Sequence, residues 1–426
     1  MRFFLTLLLL GQIIMAATID SIEVNGINVP FIYEKDTRLP LTTTQIIFTN
    51  SGSIKNTDIA GIASLSAKVL NEGTKELGSS AFAEALESKA ISISAHSGTE
   101  TFVMEMSSLA SEYKNGMNYF MSLLKDPNYS KESLSKIKTM TLGSLSRKEN
   151  DFDYIASNEL KNIMFEGGVL GKPTSGTIKS IEDVKLSDVE KFITENLTIS
   201  KAIVVVGGDI DVKKVKKRVI KLLEILPKGK KEEVTHFDVR KKAKTNILKR
   251  ETEQAYIYFA SPYDVKVDAK DYYKARVATF ILGTGGFGSR LMEEIRVKRG
   301  LAYSAYARAH VSKSSNYLSG YLQTKLDSMN EAKDTVKEVI ATFVKEGVTQ
   351  DELEQTQKFL LGSEPLRVEK MSQRLNRTFM EYYKGFDLGH SEKELEKIKE
   401  LKLEDLNEFI KNHKEILDIS FAIVTK

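Results

Sequence analysis

Three observations predict an α+β fold built as two tandem homologous αβ domains. First, two pairs of segments match at nearly the same separation, roughly 220 residues, the mark of an internal repeat. LSKIKTMTLGS (Leu134 to Ser144) resembles LEQTQKFLLGS (Leu353 to Ser363), and IEDVKLSDVEKFI (Ile181 to Ile193) resembles IKELKLEDLNEFI (Ile398 to Ile410). In the second pair the apolar positions agree in kind: Ile181/Ile398, Val184/Leu401, Leu186/Leu403, Val189/Leu406 and Phe192/Phe409. Second, both members of that pair run into a β-branched strand, KAIVVVGG and DISFAIVTK. Third, each half mixes strands of period two with helices of period 3.6, the signature of antiparallel-rich sheets packed with helices.

Taken in order, the chain opens on MRFFLTLLLLGQIIMAATID, one Arg before an apolar run and then small residues at Ala16 and Ala17. That reads as a signal peptide over 1–17, and it predicts an exported protein, periplasmic or secreted. The run is too short for a good membrane span, and no later segment is long enough, so no stable membrane anchor is expected. The first domain is expected over 18–226, with Thr43 to Thr49 as a strand and Ala90 to Met106 as paired strands. A polar, charged stretch over 227–244, PKGKKEEVTHFDVRKKAK, suits an exposed linker. The second domain follows over 245–426, with DYYKARVATFIL as an amphipathic helix, Ser289 to Lys298 as another, and LAYSAYARAHV and NYLSGYLQTKL as strands.

Composition narrows the function. With 62 basic and 58 acidic residues the net charge is +4, too small to point to nucleic acid. There is no cysteine, which excludes disulfides, thiolate metal sites and a lipid anchor on cysteine. The five histidines, His96, His236, His310, His390 and His413, include no pair at helical ligand spacing.

The stretch GIASLSAKVLNEGT, Gly61 to Thr74, has the outline of a catalytic helix. Ile59, Ile62, Leu65, Val69 and Leu70 make an apolar face, and Ser64, Ala67 and Lys68 fall on another. A zinc-protease helix of the H-x-x-E-H kind needs two imidazoles four residues apart and a carboxylate beside them as general base. None stands here.

In the second half, LGTGGFGSRLMEEIRVKRGLAYSAYA runs from Leu282 to Ala307. Gly283, Gly285 and Gly288 satisfy G-x-G-x-x-G, but the ribose-binding acid is absent and the preceding segment reads as a helix, so a dinucleotide site is rejected. A phosphate loop is rejected too, because its Lys-Ser/Thr is replaced by Ser289-Arg290. Read alone, Arg296 could belong to a solvated basic face with Arg290, Lys298 and Arg299, and Tyr303 could be core.

Chain and repeat together resemble the insulinase-like (pitrilysin, M16) peptidases, in the subfamily of two-domain subunits. Their inverted zinc motif sits in a phrase like G-I-A-H-F-x-E-H-x-x-x-x-G-T. Laid on this sequence, the resemblance puts Ser64 and Lys68 at the two histidines and Ala67 at the glutamate base. The third ligand, a Glu in a phrase like V-L-E-E-I, falls on Gly143 and Ser144. The resemblance therefore implies a degenerate zinc site and no metal in this chain. It also implies, from S-R-L-x-x-x-I-R-x-x-x-x-L-A-Y-S, that Arg296 and Tyr303 are the pair that holds the substrate carbonyl and the developing oxyanion. Gly283, Gly285, Gly286 and Gly288 occupy the region of a glycine loop that helps admit substrate in some family members.

What it implies for function is a non-catalytic, substrate-binding subunit of a heterodimeric zinc peptidase. Zn is expected in a partner subunit of the same family, with peptides or unfolded segments as substrates. The edge strands Ala90 to Met106 and Leu301 to Val311 are candidates to pair with an extended peptide. A peptide-binding or scaffolding pseudo-peptidase, and a self-sufficient zinc peptidase, are the alternatives.

Overall fold

The computed structural model describes residues 17–426. The expected signal peptide over 1–17 thus lies outside the described residues, save for Ala17.

Two mixed sheets carry the fold. The first contains β1 (Thr18–Val24), β2 (Ile27–Lys35), β3 (Leu41–Thr49), β4 (Ser92–Ser97), β5 (Thr101–Leu109) and β6 (Ala202–Gly208), in the order β1-β2-β6-β3-β5-β4. The second contains β7 (Thr245–Lys249), β8 (Gln254–Pro262), β9 (Ala302–Val311), β10 (Asn316–Lys325) and β11 (Ser420–Thr425), in the order β7-β11-β8-β10-β9. Without β1 the two orders are the same, strand for strand. One pair in each sheet is parallel, β2 with β6 and β7 with β11, and the others are antiparallel. The repeat seen in two short sequence matches extends to strand order and direction.

The interior strands explain their own composition. Every residue of β6 and of β11 is buried, so both read as near-continuous β-branched runs rather than alternating ones. Strand β3 lies beside β6 and keeps Ile46, Ile47 and Phe48 out of water.

The two halves exchange helices. Phe152–Met164 belongs to the first half, yet Leu160, Ile163 and Met164 pack on Ala260 and Ala422 of the second sheet. Its repeat counterpart, Met371–Lys384, lays Leu375, Phe379 and Tyr383 on Ile32, Ile47, Val103, Ile203 and Val205 of the first sheet, where Ala17 also packs. Separating the halves would expose an apolar sheet face on each, which is why they form one body. Polar contacts follow the exchange: Tyr383 donates to Glu100 at 2.6 Å, and Tyr258 and Gln323 donate to Asp153 at 3.0 and 2.8 Å.

At the same seam Glu34, 2% exposed, receives Arg374 through Nε at 2.9 Å and Nη2 at 2.5 Å. Asp36 takes a further bond from Arg374 at 3.3 Å and a fork from Arg38. The polar stretch over 227–244 carries neither helix nor strand. It is not free of the body: Val239 is buried against Leu160 and Met164, Arg240 N–H donates to Met164 O at 2.7 Å, and Phe237 N–H to Ser314 O at 2.7 Å. No helix among the described residues is long and apolar enough to cross a membrane.

Candidate functional site

The helix expected at Gly61 forms over Ile62–Leu70. Gly61 turns into it with φ +88, and a Cβ there would stand 2.6 Å from Gly176 N, so the turn needs glycine. Asn56 caps it by accepting from Ala63 N–H at 3.1 Å. The helix is wedged against the helix Lys131–Lys148 and the helix Leu186–Asn196, with β4 beneath.

The five positions that the resemblance aligns with zinc ligands and base lie on these elements, and their chemistry does not fit a zinc ion. Ala67, only 3% exposed, offers no ligand atom and is part of the core. Ser64 is a neutral hydroxyl. Lys68 reaches across to the neighbouring helix, where its ammonium donates to Thr141 Oγ1 at 3.0 Å. Burial, and then the charge of Lys148, hold its pKa below the usual lysine value, and an ammonium at this position repels a dication. Gly143 carries no side chain, and a Cβ there would meet only Arg147 Nη1, at 3.8 Å. Ser144 stands next to it. Among the described residues no three His, Cys, Asp or Glu side chains are placed to hold a metal ion.

Asn71, one residue beyond this helix, was not singled out by sequence. Its amide accepts from Ala95 N–H at 2.7 Å and donates to Ala95 O at 3.0 Å. Strand β4 is the edge of its sheet, so a side chain already fills the place where an added strand would pair. The expectation of peptide addition over Ala90 to Met106 is corrected to that extent: the middle of the edge is taken.

The second half builds a different surface. The amphipathic helix expected after Asp271 runs Tyr272–Thr279 and widens into a π turn at Phe280–Thr284. A glycine loop, Gly286–Gly288, follows. The helix expected over Ser289 to Lys298 is regular only at Arg290–Met292 and is π-helical over Glu293–Lys298. Past its end, Gly300 N–H bonds back to Arg296 O at 3.1 Å and Leu301 N–H to Ile295 O at 2.8 Å, which satisfies carbonyls of the last turn. Gly300, at φ +62, then reverses the chain into β9.

Tyr303 is not core: it is 81% exposed. Along β9, Ala305 pairs with Leu322 but Ala302 pairs with Thr324, so Gln323 opposes both Tyr303 and Ser304. Such a bulge re-aims the side chains at its position. Arg296 lies over the Tyr303 ring at 4.2 Å and over the Phe287 ring at 4.5 Å, in contact with two exposed aromatics.

The basic residues around it are spoken for. Arg290 makes a fork to Glu352 at 2.6 and 2.7 Å, Lys298 bonds Glu294 at 2.6 Å, and Arg299 bonds Glu338 and Thr335, each at 2.9 Å. Arg296 has no carboxylate partner among the described residues. A uniform solvated basic face therefore does not describe this helix: one cation is left with free donors, beside a free phenol.

The four glycines divide by role. Gly283 is buried, and a Cβ on it would stand 2.3 Å from Ala307 N, so close packing on β9 accounts for it. A Cβ on Gly285 would likewise crowd Phe280 O, at 2.9 Å. Gly286 and Gly288 are the exposed ones, flanking Phe287. Phe287 itself escaped sequence reasoning; its only signal was an aromatic between two glycines.

Comparison with known proteins adds to this geometry. The family description "Insulinase (Peptidase family M16)" matches residues 37–178, and "Peptidase M16 inactive domain" matches residues 183–360. A Helicobacter pylori protein named "Non-peptidase homolog YmxG" is 41% identical over 427 residues, covering 100% of this chain and 99% of that protein. A Bacillus subtilis protein named "Uncharacterized zinc protease YmxG" is 26% identical over 267 residues, 61% of this chain and 64% of that protein. Among solved structures, a peptidase M16 inactive domain from Pseudomonas fluorescens superposes with a TM-score of 0.86 at 22% identity, covering 96% of this chain and 97% of that one. At that identity the likeness speaks for the fold.

Proposed function

The chain belongs to the insulinase (M16) peptidase family, and from that premise we propose that it is a non-catalytic, substrate-binding subunit of a heterodimeric zinc peptidase. It is exported, and it works beside a zinc-bearing subunit of the same family on peptides or unfolded segments. The observation that carries this reading is a contrast within one molecule. The helix that would hold the metal has lost its ligands, while Tyr303 is exposed and the half-buried Arg296 beside it keeps its donors free of any carboxylate. The relative named a non-peptidase homologue supports the first half of that contrast.

The pair has a definite chemistry. Arg296 is a fixed cation with several N–H donors, and Tyr303 adds a neutral O–H. Aimed at one peptide carbonyl, they hold it in the ground state and bind its oxygen more tightly as negative charge develops there. Phe287 and Tyr303 both lie against the guanidinium, which limits its motion while its N–H donors stay available for substrate. The metal, and the water it would activate, belong to the partner.

Metal analysis tests the division of labour. The pure chain, equilibrated with zinc and desalted, is expected to retain no stoichiometric metal; one tightly held equivalent would overturn the reading. The variant Ser64→His, Ala67→Glu, Lys68→His is likewise expected to remain without zinc-dependent hydrolysis. It removes the Lys68 ammonium but leaves Gly143 and Ser144 without a third ligand, and the carboxylate introduced by Ala67→Glu would enter a packed site. Hydrolysis by that variant would show that the third ligand comes from elsewhere.

A further inference from the structure

Arg308 and His310 alternate along one face of β9 and oppose Ser319 and Tyr317 on β10. His310 stacks on Tyr317 with centroids 4.4 Å apart. Its Nε2 lies 2.8 Å from Ser319 Oγ and accepts from Arg308 Nε at 3.1 Å. A ring nitrogen that accepts from a guanidinium cannot carry a proton there, so His310 is neutral. Burial, then the charges of Arg308 and Lys161, push its pKa down to about 4.

The helix Phe152–Met164 covers this face of the sheet. Phe165 at its end meets Tyr317 edge-on at 5.7 Å. Lys161 stands one turn earlier on the same side of the helix, which brings it toward Arg308. Lys161 is half-buried and is acted on by Arg308 as a like charge, and its ammonium has no hydrogen-bond or ion-pair partner among the described residues. The η nitrogens of Arg308 have none either. The acids in the neighbourhood are engaged elsewhere: Asp153 with Tyr258 and Gln323, Glu159 with Asn246, Glu166 with Arg240.

Two cations that face each other, Lys161 half-buried and Arg308 exposed, with no acid between them, both gain from an anion that joins them. A planar carboxylate matches the free edge of an arginine and accepts from a lysine at the same time. We infer that Lys161 and Arg308 form a carboxylate-binding site that anchors the peptide whose carbonyl is held at Arg296 and Tyr303. This rests on the substrate-binding reading of that pair. Arg308 is five residues along β9 from Tyr303, about 16 Å of extended chain. The carboxylate is therefore an Asp or Glu side chain, or the C-terminus, about five residues from the held carbonyl.

Titration calorimetry of the chain with two matched pairs of short unstructured peptides tests this. One pair differs by Glu against Gln at an internal position, the other by a free against an amidated C-terminus. At least one carboxylate-bearing member is expected to bind about tenfold or more tightly than its neutral twin. The pair that shows the preference tells side chain from terminus. The Lys161→Gln/Arg308→Gln double variant is expected to lose that preference while keeping its melting temperature, and Lys161→Gln alone to halve it on a logarithmic scale should the double variant misfold. Equal binding within both pairs, or a preference that survives the substitutions, overturns the site while leaving Arg296 and Tyr303 untouched. Absence of binding by every peptide overturns it too. The subunit reading stands or falls separately, on turnover by the mixed subunits.

Discussion

Replacing Arg296 by alanine lowers peptide turnover by the mixed subunits on the order of 10²–10³-fold, the range found for a single lost oxyanion donor. Assembly is unchanged, because no buried contact depends on the guanidinium. Tyr303→Phe is the sharper variant. It keeps the ring that stacks on Arg296 at 4.2 Å and removes only the hydroxyl. Its loss falls in kcat/KM, since the missing bond is made chiefly in the transition state. Phe287→Ala keeps both donors and frees the guanidinium, so it costs less than either. Steady-state kinetics on the mixture, with gel filtration to confirm assembly, checks all three; unchanged turnover in Arg296→Ala and Tyr303→Phe together would remove the proposed role.

The largest stability effect is expected at the seam between the halves. Arg374→Ala strands the Glu34 carboxylate, 2% exposed, without its forked partner, and a broken buried pair costs about 3–5 kcal/mol. The pH dependence has a definite sign. Burial already raises the Glu34 pKa above its ordinary value despite the bonds from Arg374, and without those bonds it rises further. A carboxyl raised in the folded state adds stability below its unfolded pKa and loses it as pH climbs through the folded value. The variant's deficit is therefore greatest at neutral pH and shrinks toward the ordinary glutamate value of 4.5. Asp36, held down to about 2 by its bonds from Arg38, behaves oppositely, and its contribution fades as pH falls from about 4 toward 2. Denaturant melts across that range decide it; an equal deficit at every pH would contradict the account of Glu34.

Much of the fold was legible because the repeat carried its own redundancy. Two copies of one apolar pattern ahead of two β-branched strands were enough to set the class, and β6 and β11 prove to be matching interior strands of the two sheets. The exchange of Phe152–Met164 and Met371–Lys384 was not legible. Periodicity says that a helix has an apolar face, not which sheet receives it. At the site, the residue types at Ser64, Ala67, Lys68 and Gly143 are plain in the sequence, and the resemblance alone sets them at ligand positions. The standing of Arg296 was not legible, because an unpaired arginine and a paired one look alike until the positions of Glu352, Glu294 and Glu338 are known. The bulge that exposes Tyr303 is a matter of register between strands. Asn71 was silent for the same reason, since its partner Ala95 lies on a strand that only the fold brings alongside.

The central claim is that a dismantled metal helix and a live Arg/Tyr pair make this chain one half of an enzyme. Peptide hydrolysis should be measured for the chain alone, for a zinc-bearing subunit of the same family alone, and for the two mixed in equal amounts. The account predicts an inert chain and turnover in the mixture well above that of the zinc-bearing subunit by itself. Hydrolysis by this chain alone, or a mixture no faster than the zinc-bearing subunit, would contradict it.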